Sequence, residues 1–237
     1  MAKSVLLVDD DQSFLKLVGP LLSGRGLAVH EAARLADATK QLALRPDLII
    51  VDGLLPDGSG VDWIKALPAA ERQRPILFVS AFWKSLKEHQ KLQKELEGVQ
   101  IVHKPINRDQ FAGQVDRLLG QVDLPELPPE VAREMDKLKV EYGRELPGKL
   151  EELRRAVRLA RASPGDTAAR KLARTLAHRL SGTAGSYGFP DESVAAGVAE
   201  SQAVACDTAP EAARDALWAT AEDVVTDALM GRIVTNG

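Results

Sequence analysis

The sequence has little that would lock the chain covalently or hold it in a membrane. Its single cysteine, Cys206, excludes an intrachain disulfide and fits a reducing compartment. No apolar run approaches the roughly 20 residues that a helix needs to cross a bilayer, and the first residues do not form a secretory signal peptide. A net charge of −3 gives no strongly basic balance for nucleic acid. These absences predict a cytoplasmic protein that binds neither membrane nor nucleic acid.

The first half of the chain alternates short apolar segments with helical patterns. This alternation predicts a doubly wound α/β fold, with a parallel five-stranded sheet and helices on both faces. The weaker, mixed second segment is typical of an edge strand, and Pro20 predicts a kink or an early end of the first helix. The predicted strands are 5–8, 28–30, 48–51, 76–79 and 100–103, and the predicted helices are 12–23, 34–44, 60–67, 84–96 and 108–119.

The second half of the chain has no strand pattern. Residues 121–129 contain three prolines and predict a stiff, extended linker. The helical segments that follow are joined by short connections, which favours an antiparallel helical bundle. They are 130–142, 145–162, 166–187, 191–205 and 210–232. The predicted division is therefore a first domain at 1–120, a linker at 121–129 and a bundle at 130–237.

Polar residues stand where four of the predicted strands end. Asp9 and Asp10 follow the first strand, Asp52 the third, Ser80 the fourth and Lys104 the fifth. The carboxyl ends of parallel strands line one crevice, which is where α/β sheets place their chemistry. Clustered carboxylates repel one another unless a cation joins them, and oxygen ligands with phosphate chemistry favour Mg²⁺. We therefore predict that Asp52 accepts a phosphoryl group whose charge is met by Mg²⁺, Lys104 and Ser80.

Two other interpretations fit this pattern less well. Each residue alone is also typical of an ordinary turn after a strand, although the ordered set at four strand ends favours a site. A hydrolase of the haloacid dehalogenase type also uses a nucleophilic aspartate, but it needs a second aspartate two residues later. That position is Leu54, which disfavours this class.

Residues 4–120 resemble the receiver domain of two-component response regulators. The resemblance is carried by Asp9-Asp10, by Asp52 with Pro56 and Gly60, by Ser80-Ala81 and by Lys104-Pro105. It implies a flavodoxin-like sheet of order 2-1-3-4-5 and a signalling protein that catalyses only its own phosphorylation and dephosphorylation. It also implies that a sensor histidine kinase phosphorylates Asp52.

The same resemblance implies the ligands of the site. Mg²⁺ would be held by Asp9, Asp10, Asp52 and the backbone carbonyl of Leu54, and the acyl phosphate would be contacted by Ser80 and Lys104. One position departs from the family, because Ile101 stands where many receivers carry Tyr or Phe. Phe82 or Trp83 then becomes the candidate for the aromatic readout.

A second candidate acceptor, His178, lies on a predicted helix of the bundle. The apolar residues of this helix fall on the face opposite His178. Lys171, Arg174, Gly182 and Gly185 fall within about 40° of it and form a candidate docking face. We therefore predict an outward-facing histidine that acts as a phosphoryl acceptor. The alternative is that the glycines only permit close helix packing.

Residues 130–233 resemble a histidine phosphotransfer (HPt) domain. The motif is Ala177-His178-x-Leu180-x-Gly182, with Gly185, Gly188 and Glu200 further on. It implies that His178 exchanges phosphoryl groups with receiver aspartates, so that the chain is a phosphorelay protein whose partners are kinases or other receivers. Ser181 stands where the family usually has lysine, and Arg174 is the candidate substitute. A signalling scaffold, whose bundle binds a partner without transferring phosphate, is the alternative.

Overall fold

The computed structural model describes residues 2–81, 92–120 and 128–232. Predictions for Phe82, Trp83, most of helix 84–96 and residues 121–127 lie outside the described residues. The elements in chain order are β1 (Ser4–Val8), α1 (Gln12–Ser23), β2 (Ala28–Ala32), α2 (Leu35–Gln41), a 3₁₀ turn (Leu42–Leu44), β3 (Leu48–Asp52), β4 (Leu54–Leu55), β5 (Gly58–Ser59), α3 (Gly60–Ala66), α4 (Ala69–Arg72), β6 (Ile76–Ser80), β7 (Gln100–His103), α5 (Arg108–Leu118), α6 (Pro129–Ala162), α7 (Thr167–Ser186), α8 (Pro190–Thr208) and α9 (Glu211–Leu229).

The central sheet has five parallel strands in the order β2-β1-β3-β6-β7. This confirms the predicted flavodoxin-like order, with β6 and β7 as the fourth and fifth strands. Every residue of β3 and β6 is buried, as expected where helices cover both faces of a parallel sheet. Strands β2 and β7 lie at the edges and are only partly buried.

The strand register brings the predicted polar residues to one edge of the sheet. Val8 pairs with Val51, so the residue that follows β1 lies beside the last residue of β3. Asp52 in turn pairs with Val79, the neighbour of Ser80 in β6. The carboxyl ends of β1, β3 and β6 are therefore adjacent, as the prediction required.

Gly60 marks the point where the chain turns from the carboxyl edge of the sheet into α3. Its N–H donates to the carbonyl oxygen of Gly53 at 3.1 Å. A Cβ atom at position 60 would lie 2.0 Å from the carbonyl oxygen of Asp52, a distance no side chain can adopt. Glycine is required here because the backbone approaches that of Asp52 directly.

The predicted early end of the first helix and the predicted break between residues 142 and 145 are both wrong, whereas a kink at Pro20 stays a prediction. Helix α1 continues past Pro20 to Ser23, and the carbonyl that loses its donor belongs to Lys16, whose residue is exposed. Residues 130–142 and 145–162 form one continuous helix, α6, with Pro147 inside it. The reason is an unbroken apolar stripe at helical spacing that is buried on both sides of the proline, comprising Tyr142, Leu146, Leu150, Leu153 and Val157.

The chain divides into two compact units, residues 1–138 and 139–237. The division falls inside α6, and the domain boundaries at 120 and 130 stay a prediction. In the second unit the helices pack as a bundle, with α7 along α8 and α8 along α9. Trp218 of α9 is buried in it. Ion pairs from Arg158 and Arg161 of α6 to Glu222 of α9 join the first and last helices.

Among the helices of the described ranges, none combines the length and apolarity needed to span a bilayer.

The close approach at Gly60 predicts a large effect of a single methyl group. Gly60→Ala should destabilise the first unit by about 2 kcal/mol or more, because the Asp52 backbone has to move. Gly113→Ala is the matched control, since nothing lies within 4 Å of its Cβ position in α5. It should stabilise the unit by about 0.5–1 kcal/mol. Urea unfolding followed through resolved NMR signals of sheet residues measures both, and equal effects would contradict the prediction.

Candidate functional site

A buried lysine bridges two buried aspartates at the carboxyl edge of the sheet. The Nζ of Lys104 donates to Oδ2 of Asp9 at 2.6 Å and to Oδ1 of Asp52 at 2.8 Å. Asp9 and Asp52 are each 2% exposed and Lys104 is 6% exposed. The structure thus brings together three of the predicted site residues from β3 and the ends of β1 and β7.

Backbone groups fix the remaining oxygen of each carboxylate. Oδ2 of Asp52 accepts from the N–H of Leu54 at 2.8 Å, and Oδ1 of Asp9 accepts from the N–H of Asp11 at 2.9 Å. The N–H of Lys104 donates to the carbonyl oxygen of Ser80 at 3.0 Å, which aligns β7 with β6. Both carboxylates are therefore oriented by the main chain before any partner binds.

Ser80 is buried at the end of β6, close to this pair. A Cβ atom on Gly53 would lie 2.8 Å from the Ser80 hydroxyl oxygen, so the bare glycine leaves room for that hydroxyl. Sequence reasoning did not identify the role of Gly53. It also missed Phe14 of α1, whose ring centroid lies 4.0 Å from the Lys104 ammonium. A cation over an aromatic face is stabilised electrostatically, but the sequence pattern gives Phe14 only as a core residue of an amphipathic helix.

Burial and charge together set the protonation of the site. Burial acts to lower the pKa of Lys104, but the carboxylates of Asp52 and Asp9 outweigh it and raise that pKa above its ordinary value. Burial raises the pKa of Asp9 to about 7. The Lys104 ammonium acts to lower this pKa, and the charge of Asp52 acts to raise it. With both aspartates ionised, one lysine leaves a buried surplus of negative charge.

The surplus charge fits a hard divalent cation. Mg²⁺ is commonly bound through one or two carboxylates with several retained waters, and Asp9 and Asp52 supply such a pair. Asp10, the next residue after Asp9 in the chain, is half-buried. Within the described ranges no three Asp, Glu, His or Cys side chains are grouped as a metal site. Asp9 and Asp52 are thus the residues that would hold Mg²⁺, and the parts predicted for Asp10 and the Leu54 carbonyl stay predictions.

The prediction that His178 faces outward is wrong. Its side chain is 5% exposed and its Nδ1 lies 2.9 Å from Oε1 of Glu200 on α8. The hydroxyl of Ser181, one turn later, donates to the carbonyl oxygen of His178 at 3.0 Å. The histidine therefore lies in the interface between α7 and α8, where it shares a buried polar cluster with a carboxylate.

Small residues explain why this face is covered. Gly182 is buried, and a Cβ atom on Gly197 of α8 would lie only 3.8 Å from Cβ of Ser181. The buried positions of α8 include a run of alanines, which lets the two helices approach closely: Ala195, Ala196, Ala199 and Ala203. The burial of Gly182 favours close helix packing, the alternative that the sequence left open, and the part played by Gly185 stays a prediction.

The four residues of the candidate docking face do not form one exposed surface. Lys171 is exposed, Gly185 is half-buried and Gly182 is buried. Arg174 is half-buried, with Nη1 3.9 Å from a carboxylate oxygen of Asp207.

In the first unit, Ile101 is half-buried and packs against the core of the sheet.

Comparison with known proteins agrees with the geometry of the first unit. The family described as Response regulator receiver domain matches residues 5–116. The polar-differentiation response regulator DivK of Brucella anthropi is 32% identical over 126 residues, which cover 51% of this chain and 98% of DivK. The transcriptional regulatory protein CssR of Bacillus subtilis is 29% identical over 129 residues, covering 54% of this chain and 56% of CssR.

The chain thus spans about half the length of CssR. Among solved structures, the chemotaxis response regulator CheY4 of Vibrio cholerae is 26% identical with a TM-score of 0.45, covering 50% of this chain and 99% of that chain. Nearly all of DivK is matched at 32% identity, and the matched segment carries the bridged aspartates at its sheet edge. Through residues 5–116, the chain belongs to the response regulator receiver family.

Proposed function

We propose that Asp52 accepts a phosphoryl group from the phosphohistidine of a sensor histidine kinase, in a cytoplasmic signalling protein. The observation that carries this proposal is the buried Lys104 bridge to Asp9 and Asp52. This bridge holds a nucleophilic carboxylate, that of Asp52, in contact with the fixed ammonium of Lys104. When both aspartates are ionised, the net negative charge of the site favours the binding of a divalent cation.

The transfer follows from these positions. An oxygen of Asp52 forms a bond to phosphorus while the phosphorus–nitrogen bond of the partner's phosphohistidine breaks, and the imidazole leaves. The Lys104 ammonium, 2.8 Å from Oδ1 of Asp52, and the Ser80 hydroxyl would hydrogen-bond the oxygens of the transferred phosphoryl group. When Mg²⁺ is bound by Asp9 and Asp52, it would neutralise part of the negative charge of the phosphoryl group. The Leu54 N–H orients the Asp52 carboxylate throughout.

We extend the proposal to His178 as a second phosphoryl acceptor that exchanges with receiver aspartates. The supporting observation is the contact of Nδ1 with the carboxylate of Glu200. A carboxylate on one ring nitrogen favours the tautomer whose other nitrogen, Nε2, carries the nucleophilic lone pair. Transfer at this histidine requires a local rearrangement that exposes its side chain, because that side chain is buried.

A signalling scaffold is the second candidate for the helical bundle. The burial of His178 favours it, because a partner would then contact only the outer faces of the helices. In this function the bundle binds a partner and transfers no phosphate, and phosphorylation of Asp52 remains the signal. The two candidates make opposite predictions for label on histidine.

The first prediction concerns the acceptor of the receiver. With a radiolabelled small phosphodonor and Mg²⁺, the wild type should take up label, whereas Asp52→Asn should fall to background because the nucleophilic carboxylate is lost. Asp47→Asn is the control, since Asp47 accepts from the N–H of Ser4 at the opposite edge of the sheet, and it should label normally. Label retained by Asp52→Asn would contradict the assignment.

The second prediction concerns Asp9 and pH. The folded state keeps the Asp9 proton up to a pH of about 7, whereas the unfolded chain releases it near 3.8, so raising the pH across this window destabilises the wild type. Asp9→Asn lacks this titration. Its stability relative to the wild type should rise by about 2–3 kcal/mol between pH 5 and pH 8. Urea unfolding in a chelator, followed through NMR signals of sheet residues, measures it, and parallel pH profiles would refute it.

The third prediction separates relay from scaffold. When the protein is incubated with phosphorylated receivers, a relay should acquire acid-labile, alkali-stable label that His178→Gln loses. Ser201→Ala is a control on α8, because its hydroxyl only bonds to the carbonyl of Gly197, and it should keep the label. A wild type without such label would exclude the relay in favour of the scaffold.

A further inference from the structure

Helix α2 takes its N-terminal cap from a distant loop. Its own N-cap residue, Arg34, makes no side-chain capping bond. Instead, the two carboxylate oxygens of Asp57 accept from the N–H groups of Leu35 and Ala36, each at 3.0 Å. Asp57 lies 22 residues from Leu35 along the chain, so this cap joins two separate segments of the first unit.

Asp57 lies at the tip of the loop that carries Asp52. Strands β4 and β5 form a small antiparallel hairpin, in which Leu54 pairs with Ser59 and Leu55 with Gly58. Pro56 and Asp57 are the two residues of its turn. At the base of the hairpin, the Leu54 N–H holds Oδ2 of Asp52 at 2.8 Å. One end of the hairpin thus contacts the candidate phosphoacceptor and the other is bonded to α2.

Further contacts favour this arrangement. A Cβ atom on Gly58 would lie 3.1 Å from Cδ1 of Leu35, so the hairpin lies directly against α2. Arg34 Nε lies 3.9 Å from the Asp57 carboxylate. The slight burial of Asp57 acts to raise its pKa, but the N–H groups of Ala36 and Leu35 outweigh it and hold the pKa below its ordinary value. A charged carboxylate is favoured at a helix N-terminus, where unpaired N–H groups converge.

We propose that Asp57 is a positioning residue for the phosphorylation site, because it anchors the β4-β5 hairpin to α2 and so keeps the Leu54 backbone in place against Asp52. This rests on the proposed function of Asp52. Loss of the anchor frees the hairpin tip, so the Leu54 N–H no longer holds the carboxylate in one orientation. The Asp52 oxygens then meet Mg²⁺ and the phosphoryl donor in a less ordered arrangement.

A purely structural cap makes a different prediction from a positioning residue. It would lower the stability of the folded state and leave the chemistry of the folded protein unchanged. Asp47→Ala serves as the matched control. It too removes a carboxylate that accepts a backbone N–H, from Ser4 at 2.7 Å, but at the amino edge of the same sheet.

The experiment compares the full-length wild type with Asp57→Ala, Asp57→Asn and Asp47→Ala, well below their unfolding temperatures. Three quantities are measured: the Kd for Mg²⁺ by calorimetry, the NMR chemical shift of the Leu54 amide, and the labelling rate with a small phosphodonor. Asp57→Ala should raise the Mg²⁺ Kd roughly tenfold, as for other groups that support a metal ligand indirectly. It should also shift the Leu54 amide and slow labelling.

The two remaining variants sharpen the comparison. Asp57→Asn retains one acceptor oxygen and should be intermediate, and it replaces Asp57→Ala if that variant fails to fold. Asp47→Ala should match the wild type in all three quantities. Wild-type values for the Asp57 variants would overturn the proposal. Absence of label on the wild type would overturn only the function of Asp52, since the Leu54 shift and the Mg²⁺ Kd still decide whether Asp57 positions the site.

Discussion

The ammonium of Lys104 between the carboxylates of Asp9 and Asp52 is the interaction on which the first unit depends. Three charged groups are almost wholly removed from water there. Burial of this kind is tolerable only when each charge has close partners. The sheet register, the bare positions at Gly53 and Gly60 and the Leu54 N–H all hold those partners at contact distance. The residues at this edge of the sheet therefore provide partners for buried charges as well as apolar packing.

When both aspartates are ionised, this arrangement leaves the site with one negative charge more than Lys104 can balance. In the proposed function, a divalent cation would relieve this surplus. The hairpin that follows Asp52 joins this edge of the sheet to α2 through the cap made by Asp57. The positioning role proposed for Asp57 would therefore couple the site to a helix that does not itself carry the acceptor carboxylate.

The parallel sheet and the convergence of its polar ends could be predicted because both follow from local patterns and one topological rule. The continuous α6 could not, since the sequence places Pro147 in its interior and only the buried stripe from Tyr142 to Val157 overrides it. The burial of His178 likewise depends on which helix covers it, and the alanines of α8 become informative only once α7 is placed against them. The cap by Asp57 is invisible in the sequence because its partners are remote.

The pairing of His178 with Glu200 inside the α7-α8 interface makes access, and not only intrinsic nucleophilicity, a determinant of its chemistry. In the proposed relay, a partner reacts only with the fraction of molecules in which the His178 side chain has opened to solvent. Each 1.4 kcal/mol or so needed for that opening lowers the apparent rate about tenfold. A partner surface that binds and stabilises this opened form would therefore select the molecules able to react.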